Sequence, residues 1–96
     1  MNSEEIWEYL KSRTPVSVAL KTRKNESFTV VEASNLEICY LNETAGFILG
    51  LCDKSHTLES ICNELMEQYD VSRDDLISDL IDVIRYMQWK RIIKLC

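Results

Sequence analysis

The 96-residue sequence contains only two glycines, one proline and one histidine. Gly46 and Gly50 lie in one apolar segment, so no glycine-rich loop is available to cradle a phosphate. His56 has no partner at the spacing of a metal site, and the four cysteines form no Cys-x-x-Cys pair. No Ser/His/Asp or Cys/His arrangement for nucleophilic catalysis is found either. The sequence therefore predicts a protein that is not an enzyme and that needs neither a metal nor a cofactor.

Long hydrophobic runs are also missing. No uninterrupted apolar stretch approaches the roughly 20 residues that cross a bilayer. Glu4, Glu5 and Glu8 stand where a secretory signal would have a basic start and an apolar core. With 46% hydrophobic and 28% charged residues, the composition is that of an ordinary globular domain. We therefore expect a cytoplasmic globular protein that does not associate with a membrane.

The sequence also has fewer positively charged residues than negatively charged ones. The net charge is −5, and most of it lies in residues 42–96, which form the helical half described below. Affinity for nucleic acid comes mainly from the neutralisation of phosphates, so an acidic half argues against such a partner. Cys39, Cys52 and Cys62 fall at apolar positions of the pattern and are expected to be buried thiols, whereas Cys96 is terminal and expected to be exposed.

The first half of the chain has the two-residue period of β-strands. Apolar and polar side chains alternate over residues 16–21, 28–33 and 36–41, with short polar turns between them. Loops this short favour an antiparallel meander. Before the strands, residues 3–13 have an amphipathic helical pattern that Pro15 ends. We expect this helix to pack over the open side of the sheet, and docking onto a partner enzyme remains the alternative.

The second half has helical spacing. Helices are predicted at about residues 43–52, from Thr57 to about Tyr69, and from Ser72 to about Trp89, with a short extended piece at residues 91–95. Asn42 and Ser72 are suitable N-caps. The predicted fold is α+β: a three-stranded antiparallel sheet followed by a three-helix bundle, similar to a winged helix-turn-helix, with an extra N-terminal helix. We divide the chain into that helix, residues 1–15, and a domain of residues 16–96.

Three short segments carry a resemblance to a known family. They are Leu41-Asn42-Glu43-Thr44-Ala45 with the following Ile48-Leu49 and Leu51-Cys52-Asp53, Thr57-Leu58-Glu59-Ser60-Ile61, and Tyr69-Asp70-Val71. Their residues and spacing resemble the coenzyme PQQ synthesis protein D family, the PqqD-like peptide-recognition domains. The similarity extends from about Val16 to Leu95. Lys54 departs from it, since the family usually has glycine after the aspartate.

The resemblance implies a binding function. PqqD-like domains bind the leader of a ribosomally made precursor peptide by strand addition and present it to a separate modifying enzyme, such as a radical SAM maturase or a leader peptidase. Here the guest strand would pair with residues 36–41 and place alternate side chains in a groove beside the third helix. Which strand face lines that groove stays open. The candidate peptide-binding residues are Leu36, Glu37, Ile38, Cys39, Tyr40, Leu41, Leu76, Leu80, Val83 and Ile84.

Two alternatives stay open beside this hypothesis. The apolar side chains of the third helix cover an arc of about 160°, and packing between the sheet and the other helices would explain that arc as well as a ligand would. A winged-helix regulator that binds DNA has the same order of elements. Its recognition helix would begin with Arg73-Asp74-Asp75, and these carboxylates would face phosphates, which is unfavourable. We therefore expect no nucleic-acid partner.

Overall fold

The computed structural model describes residues 3–96, which form four helices and five strands. In chain order these are α1 (Ser3–Leu10), β1 (Pro15–Ser17), β2 (Lys21–Lys24), β3 (Phe28–Glu32), β4 (Ile38–Asn42), α2 (Glu43–Gly50), α3 (Leu58–Gln68), α4 (Arg73–Trp89) and β5 (Ile93–Leu95). Strands β2, β3 and β4 form a three-stranded antiparallel sheet, and β1 pairs with β5 in a separate two-stranded sheet. The predicted combination of a three-stranded antiparallel sheet and helices is confirmed.

The prediction of one strand over residues 16–21 is wrong. The Ser17 amide donates to the Cys52 carbonyl and the Val18 amide to the Ile92 carbonyl, which draws this segment toward the helical half. The meander begins only at Lys21–Lys24, whose four side chains are all exposed. Because none of them is buried, this strand has no apolar alternation, and its last two residues read as a polar turn. The partner of β1 lies at the other end of the chain, beyond the reach of a local pattern.

The N-terminal helix packs against α4 rather than over the open side of the sheet, so that expectation is wrong. It ends at Leu10, three residues before the predicted end. Trp7 is buried and belongs to the same core as the other helices. Residues 1–2 of the proposed 1–15 segment lie outside the described residues. Helix α1 thus contributes Trp7 to the hydrophobic core.

Helices α2 and α4 begin directly after their predicted N-caps, and α3 begins after Thr57, which caps it. The Asn42 side-chain oxygen accepts a hydrogen bond from the Ala45 amide at 2.8 Å. Thr57 Oγ1 accepts from Ser60 at 3.1 Å, and Ser72 Oγ accepts from the Asp75 amide at 3.2 Å. Each bond satisfies an amide that has no partner within its own helix. The junction at Asn42 also joins the last residue of β4 directly to α2.

The buried cysteines behave as small apolar side chains. Cys39, Cys52 and Cys62 are buried and Cys96 is exposed, as the sequence predicts. Burial raises the pKa of the Cys52 thiol to about 12, and the neighbouring charge of Asp53 adds to that shift. The thiol is therefore protonated near neutral pH, and it lies 3.3 Å from the Ile48 carbonyl as a donor. Burial also raises the pKa of Cys62.

In the loop after α2, Lys54 has a backbone conformation that glycine adopts more easily than other residues. Lys54 has a φ of 74°, in the left-handed region that costs an L-residue roughly 1–2 kcal/mol. Asp53 supports the turn, because its carboxylate accepts bonds from the Ser55 amide at 3.0 Å and the Ser55 hydroxyl at 2.6 Å. Position 54 therefore has a backbone conformation in which glycine would be unstrained.

We expect Lys54→Gly to raise the free energy of unfolding by about 0.5–1 kcal/mol, since removing the strain outweighs the added entropy of the unfolded chain. Urea denaturation at neutral pH measures the change. Lys24→Gly is the control, because it puts glycine into β2, where it should lower stability. If Lys54→Gly is as destabilising as Lys24→Gly, the left-handed backbone of the loop carries no strain.

Candidate functional site

The outer edge of β4 is not paired with another strand within residues 3–96. The Ala33 amide bonds to the Glu37 carbonyl, and the register continues through Val31 opposite Cys39. Because hydrogen-bonded and non-bonded pairs alternate in an antiparallel ladder, Cys39 and Leu41 use their backbone groups toward β3. The backbone groups of Ile38 and Tyr40 therefore point away from the sheet. The edge offers the donors and acceptors that an added strand would need.

A groove separates this edge from α4. It has a volume of about 240 Å³ and is lined by Tyr40, Leu41, Asn42, Ala45, Asp82, Val83 and Tyr86. A second cavity of about 140 Å³ lies between α2, α3 and α4, and Val83 lines it too. The two cavities therefore adjoin at Val83.

Strand β4 and helix α4 run in opposite directions along this groove. Asn42, at the end of β4, lines it together with Asp82 in the middle of α4. At the other end, the Ser34 amide and hydroxyl both donate to the Arg91 carbonyl at 3.1 Å, which ties the turn before β4 to the residues that follow α4. The start of β4 thus lies toward the C-terminal end of α4.

The α4 wall of the groove carries opposite charges at its two ends. Asp79 and Asp82 are exposed, and neither forms an ion pair with any residue of 3–96. Toward the C-terminal end, the Lys90 ammonium lies 6.0 Å from the ring centre of Tyr86 and 4.8 Å from that of Trp89. Negative charge therefore lies in the groove at Asp82, and the cation Lys90 lies beyond the lining residues, against the groove residue Tyr86 and near the end where the exposed Glu37 precedes β4.

The sequence profile of the coenzyme PQQ synthesis protein D family matches residues 30–93 of the 96-residue chain. The chain belongs to this PqqD family. The matched range includes β4, α2, α3 and α4, and so both walls of the groove. It begins later than the resemblance suggested, at Val30 rather than Val16. No curated protein and no solved structure matches the chain. Membership in the family indicates an accessory role in the synthesis of PQQ.

The predicted site residues of this PqqD family member fall into three groups. Leu36, Glu37, Ile38 and Tyr40 are exposed, in the turn before β4 and on the outer face of that strand. Cys39 and Leu41 point inward and are buried. On α4, Leu76, Leu80 and Ile84 are core side chains, with Leu80 and Ile84 only 1% and 0% exposed, whereas Val83 is half-buried at the groove.

The sequence left open which face of the strand meets the helix, and the structure places Cys39 and Leu41 on the inner side. Ile38 and Tyr40 have their side chains on the outer face and contribute their backbone to the edge. Sequence reasoning missed four groove residues, Asn42, Ala45, Asp82 and Tyr86. A signal was available for Tyr86, because it lies three residues after Val83, at helical spacing on the same face of α4.

The outer face of the sheet forms a second, wider depression of about 570 Å³. Its exposed rings Phe28 and Tyr40 have centroids 6.1 Å apart, and Lys21 and Arg23 of β2 lie beside them. Tyr40 is 68% exposed. Tyr40 lines both this depression and the groove, so the two surfaces adjoin at β4. A ligand could therefore be placed on either, and unpaired backbone groups lie along the β4 edge beside the groove and along the outer edge of β2.

The loop residues Asp53, Ser55 and His56 form a local hydrogen-bonded turn. His56 Nδ1 lies 3.0 Å from the Asp53 carboxylate and 3.1 Å from the Ser55 hydroxyl. The bonds from Ser55, followed by those from His56, hold the pKa of Asp53 well below its usual range. In a Ser-His-Asp triad the two ring nitrogens serve different partners, whereas here one nitrogen contacts both. The geometry is that of a turn rather than of a nucleophile with its base.

No group of three or more His, Cys, Asp or Glu side chains in residues 3–96 is arranged to hold a metal ion. None of the helices described is long and apolar enough to cross a membrane.

Proposed function

We propose that this PqqD family member binds an extended segment of a ribosomally made precursor peptide by strand addition to β4. The observation that carries the proposal is the unpaired edge of β4 facing a groove along α4. Backbone groups of the guest would bond to those of Ile38 and Tyr40, and alternate guest side chains would enter the groove. Neither feature alone defines a peptide site, but together they supply both affinity and side-chain selection.

The length of the site suits a short segment. Strand β4 has five residues, which extend over roughly 17 Å at about 3.3–3.4 Å per residue. A guest strand of about five residues would therefore pair along the whole edge. Val83 is the half-buried side chain that adjoins both cavities, so an apolar guest side chain would contact it directly. Burial of that side chain would add to the backbone bonds.

The function would be that of an adaptor. The described residues offer no nucleophile with its base, so the chemistry would come from a separate enzyme, such as a radical SAM maturase or a leader peptidase. An adaptor that holds both the precursor and the enzyme raises the effective concentration of one for the other. The PqqD family match supports such an accessory role.

The DNA-binding alternative receives less support. A winged helix-turn-helix-like arrangement of the meander with α2, α3 and α4 would make α4 the recognition helix. Its first turn carries the exposed acids Asp74 and Asp75, which would meet phosphates. A single arginine, Arg73, is the only base in that turn. The electrostatics of α4 therefore favour a peptide over a nucleic acid.

Amide shifts on adding a leader peptide test the proposal. The precursor encoded nearest to the gene of this chain supplies the peptide, and the protein is labelled with nitrogen-15. We expect the largest shifts at residues 38–42 and 79–86, because these form the edge and the α4 wall. Shifts confined to Lys21, Arg23 and Phe28 would place the peptide on the outer face instead and contradict strand addition.

A further inference from the structure

We propose that the groove selects its guest by the polarity of charge along the segment. The preferred segment carries a basic side chain near Asn42, an apolar side chain in the middle, and an acidic side chain near Lys90. This proposal rests on strand addition at β4 and adds the class of sequence that the site accepts. It is carried by the distribution of charge along the α4 wall.

The negative end is built from two carboxylates on one helix face. At about 100° per residue, Asp79, Asp82 and Tyr86 point to the same side of α4. Asp82 lines the groove itself, and Asp79 lines the adjoining cavity. Both are exposed and unpaired with any cation in residues 3–96. A lysine or arginine of the guest would therefore neutralise charge that the protein itself leaves uncompensated.

The positive end is built from one cation held by two rings. Lys90 is half-buried and lies over Tyr86 and Trp89, and Tyr86 also lines the groove. The contact with the rings restricts where the ammonium group can be, so less entropy is lost when it pairs with a carboxylate. An aspartate or glutamate of the guest would find its partner there.

The spacing of the two ends matches a strand. Asp82 and Lys90 are eight residues apart, which is about 12 Å along a helix. Four residues of a strand extend over about 13 Å. Because four is an even number, the basic and acidic guest side chains would both face the groove, with one more inward side chain between them. The accepted pattern is basic-x-apolar-x-acidic or its reverse.

The direction follows from the pairing. Antiparallel strands pair slightly more stably than parallel ones, so the guest is expected to run opposite to β4. Its N-terminal end then lies beside Asn42 and Asp82, and its C-terminal end lies toward Lys90. Read from the N-terminus, the pattern is basic-x-apolar-x-acidic.

Charge also gives the site a selectivity for sequence and register that backbone pairing lacks. Hydrogen bonds along a strand edge do not read sequence, and a slip by two residues keeps the same side chains inward. Opposite charges at the two ends penalise such a slip, since it moves the basic and acidic groups away from Asp82 and Lys90. The groove would thereby fix both the register and the direction of its guest.

Two peptides of identical composition test the proposal, Thr-Lys-Thr-Leu-Thr-Glu-Thr and Thr-Glu-Thr-Leu-Thr-Lys-Thr, both acetylated and amidated. Their dissociation constants are measured from amide shifts of residues 38–42 in a low-salt buffer. We expect the first to bind about tenfold more tightly, because two favourable charge pairs of a few tenths to about 1 kcal/mol each replace two unfavourable ones. At about 1 M salt the preference should nearly vanish.

A charge-swapped variant provides the sharper test. Asp82→Lys combined with Lys90→Glu leaves the net charge unchanged and should reverse the preference. Asp74→Lys combined with Lys94→Glu is the matched control, since Asp74 lines a different cavity beside α1 and Lys94 lies in β5. That control should keep the original preference.

Equal binding of the two peptides, or a preference that the swap leaves unchanged, would overturn the charge selection. So would the absence of shifts with both peptides at millimolar concentration. In each case a natural leader that still shifts residues 38–42 would leave strand addition intact. Failure of that leader as well would count against the proposed function itself.

Discussion

Tyr40→Pro is expected to bind the leader about 5- to 150-fold more weakly than Tyr40→Ala, a variant that lacks the same ring but keeps the amide. The Tyr40 amide points to the open edge, and proline removes that donor and places its ring where the guest backbone would lie. Loss of a backbone bond and an unpaired guest carbonyl together cost about 1–3 kcal/mol. The alanine variant removes the exposed ring and keeps the amide, so the comparison isolates the backbone contribution.

Dissociation constants for the same labelled leader are measured for both variants by fluorescence anisotropy. Proline is tolerated on an edge strand where its nitrogen faces away from the sheet, so the fold should persist. Thermal unfolding of Tyr40→Pro confirms this before binding is compared. Unchanged affinity in a folded Tyr40→Pro variant would show that the guest does not pair with β4.

Cys39 is the wrong position for this substitution. A proline at Cys39 would test strand addition only if the Cys39 amide pointed to the open edge. In the structure that amide faces β3, opposite Val31. Cys39→Pro would therefore remove a bond within the sheet and unfold part of it, whether or not a peptide binds.

Ile84→Ala and Val83→Ala should separate the core from the groove. Ile84 is fully buried, so its truncation should lower the free energy of unfolding by about 2–5 kcal/mol. Val83 is half-buried, and its truncation should cost less than about 1.5 kcal/mol. Urea denaturation measures both. Because the two residues are neighbours in α4, the difference between their losses of unfolding free energy reports the difference in burial.

Affinity for the leader should show the opposite order. Val83 adjoins both cavities, so Val83→Ala removes surface that a guest side chain would contact and should weaken binding several-fold. Ile84→Ala should leave the affinity of the folded molecules within about twofold, since its side chain is out of reach of a ligand. A strong loss of affinity in Ile84→Ala, with little loss of stability, would mean that the helix moves on binding and exposes it.

Local signals in the sequence were sufficient for the helices and for two strands of the meander. Asn42, Thr57 and Ser72 cap their helices because each side chain bonds to an amide three residues ahead, and such contacts need no distant partner. The alternation of β3 and β4 is equally local, since one face of each strand lies on the core. The family resemblance rested on the same junction of β4 with α2, and the match to residues 30–93 confirms it.

Other features depended on partners far away in the chain. Strand β1 pairs with β5, and the fully exposed β2 is a strand only because β3 lies beside it. A pattern that is read along the sequence contains neither relation. The same holds for α1, whose apolar face fits equally well on a sheet or a helix and in fact lies on α4.

The sequence by itself determined where α2, α3 and α4 begin, which thiols are buried, and the family. Only the tertiary structure decided which backbone groups of β4 are unpaired and which side chains of α4 are core. It also decided that Asp82 lines the groove and that Lys90 lies against Tyr86. The physical reason is that hydrogen-bond direction and burial depend on what lies across from a residue. Capping and periodicity depend on residues within one or two turns along the chain.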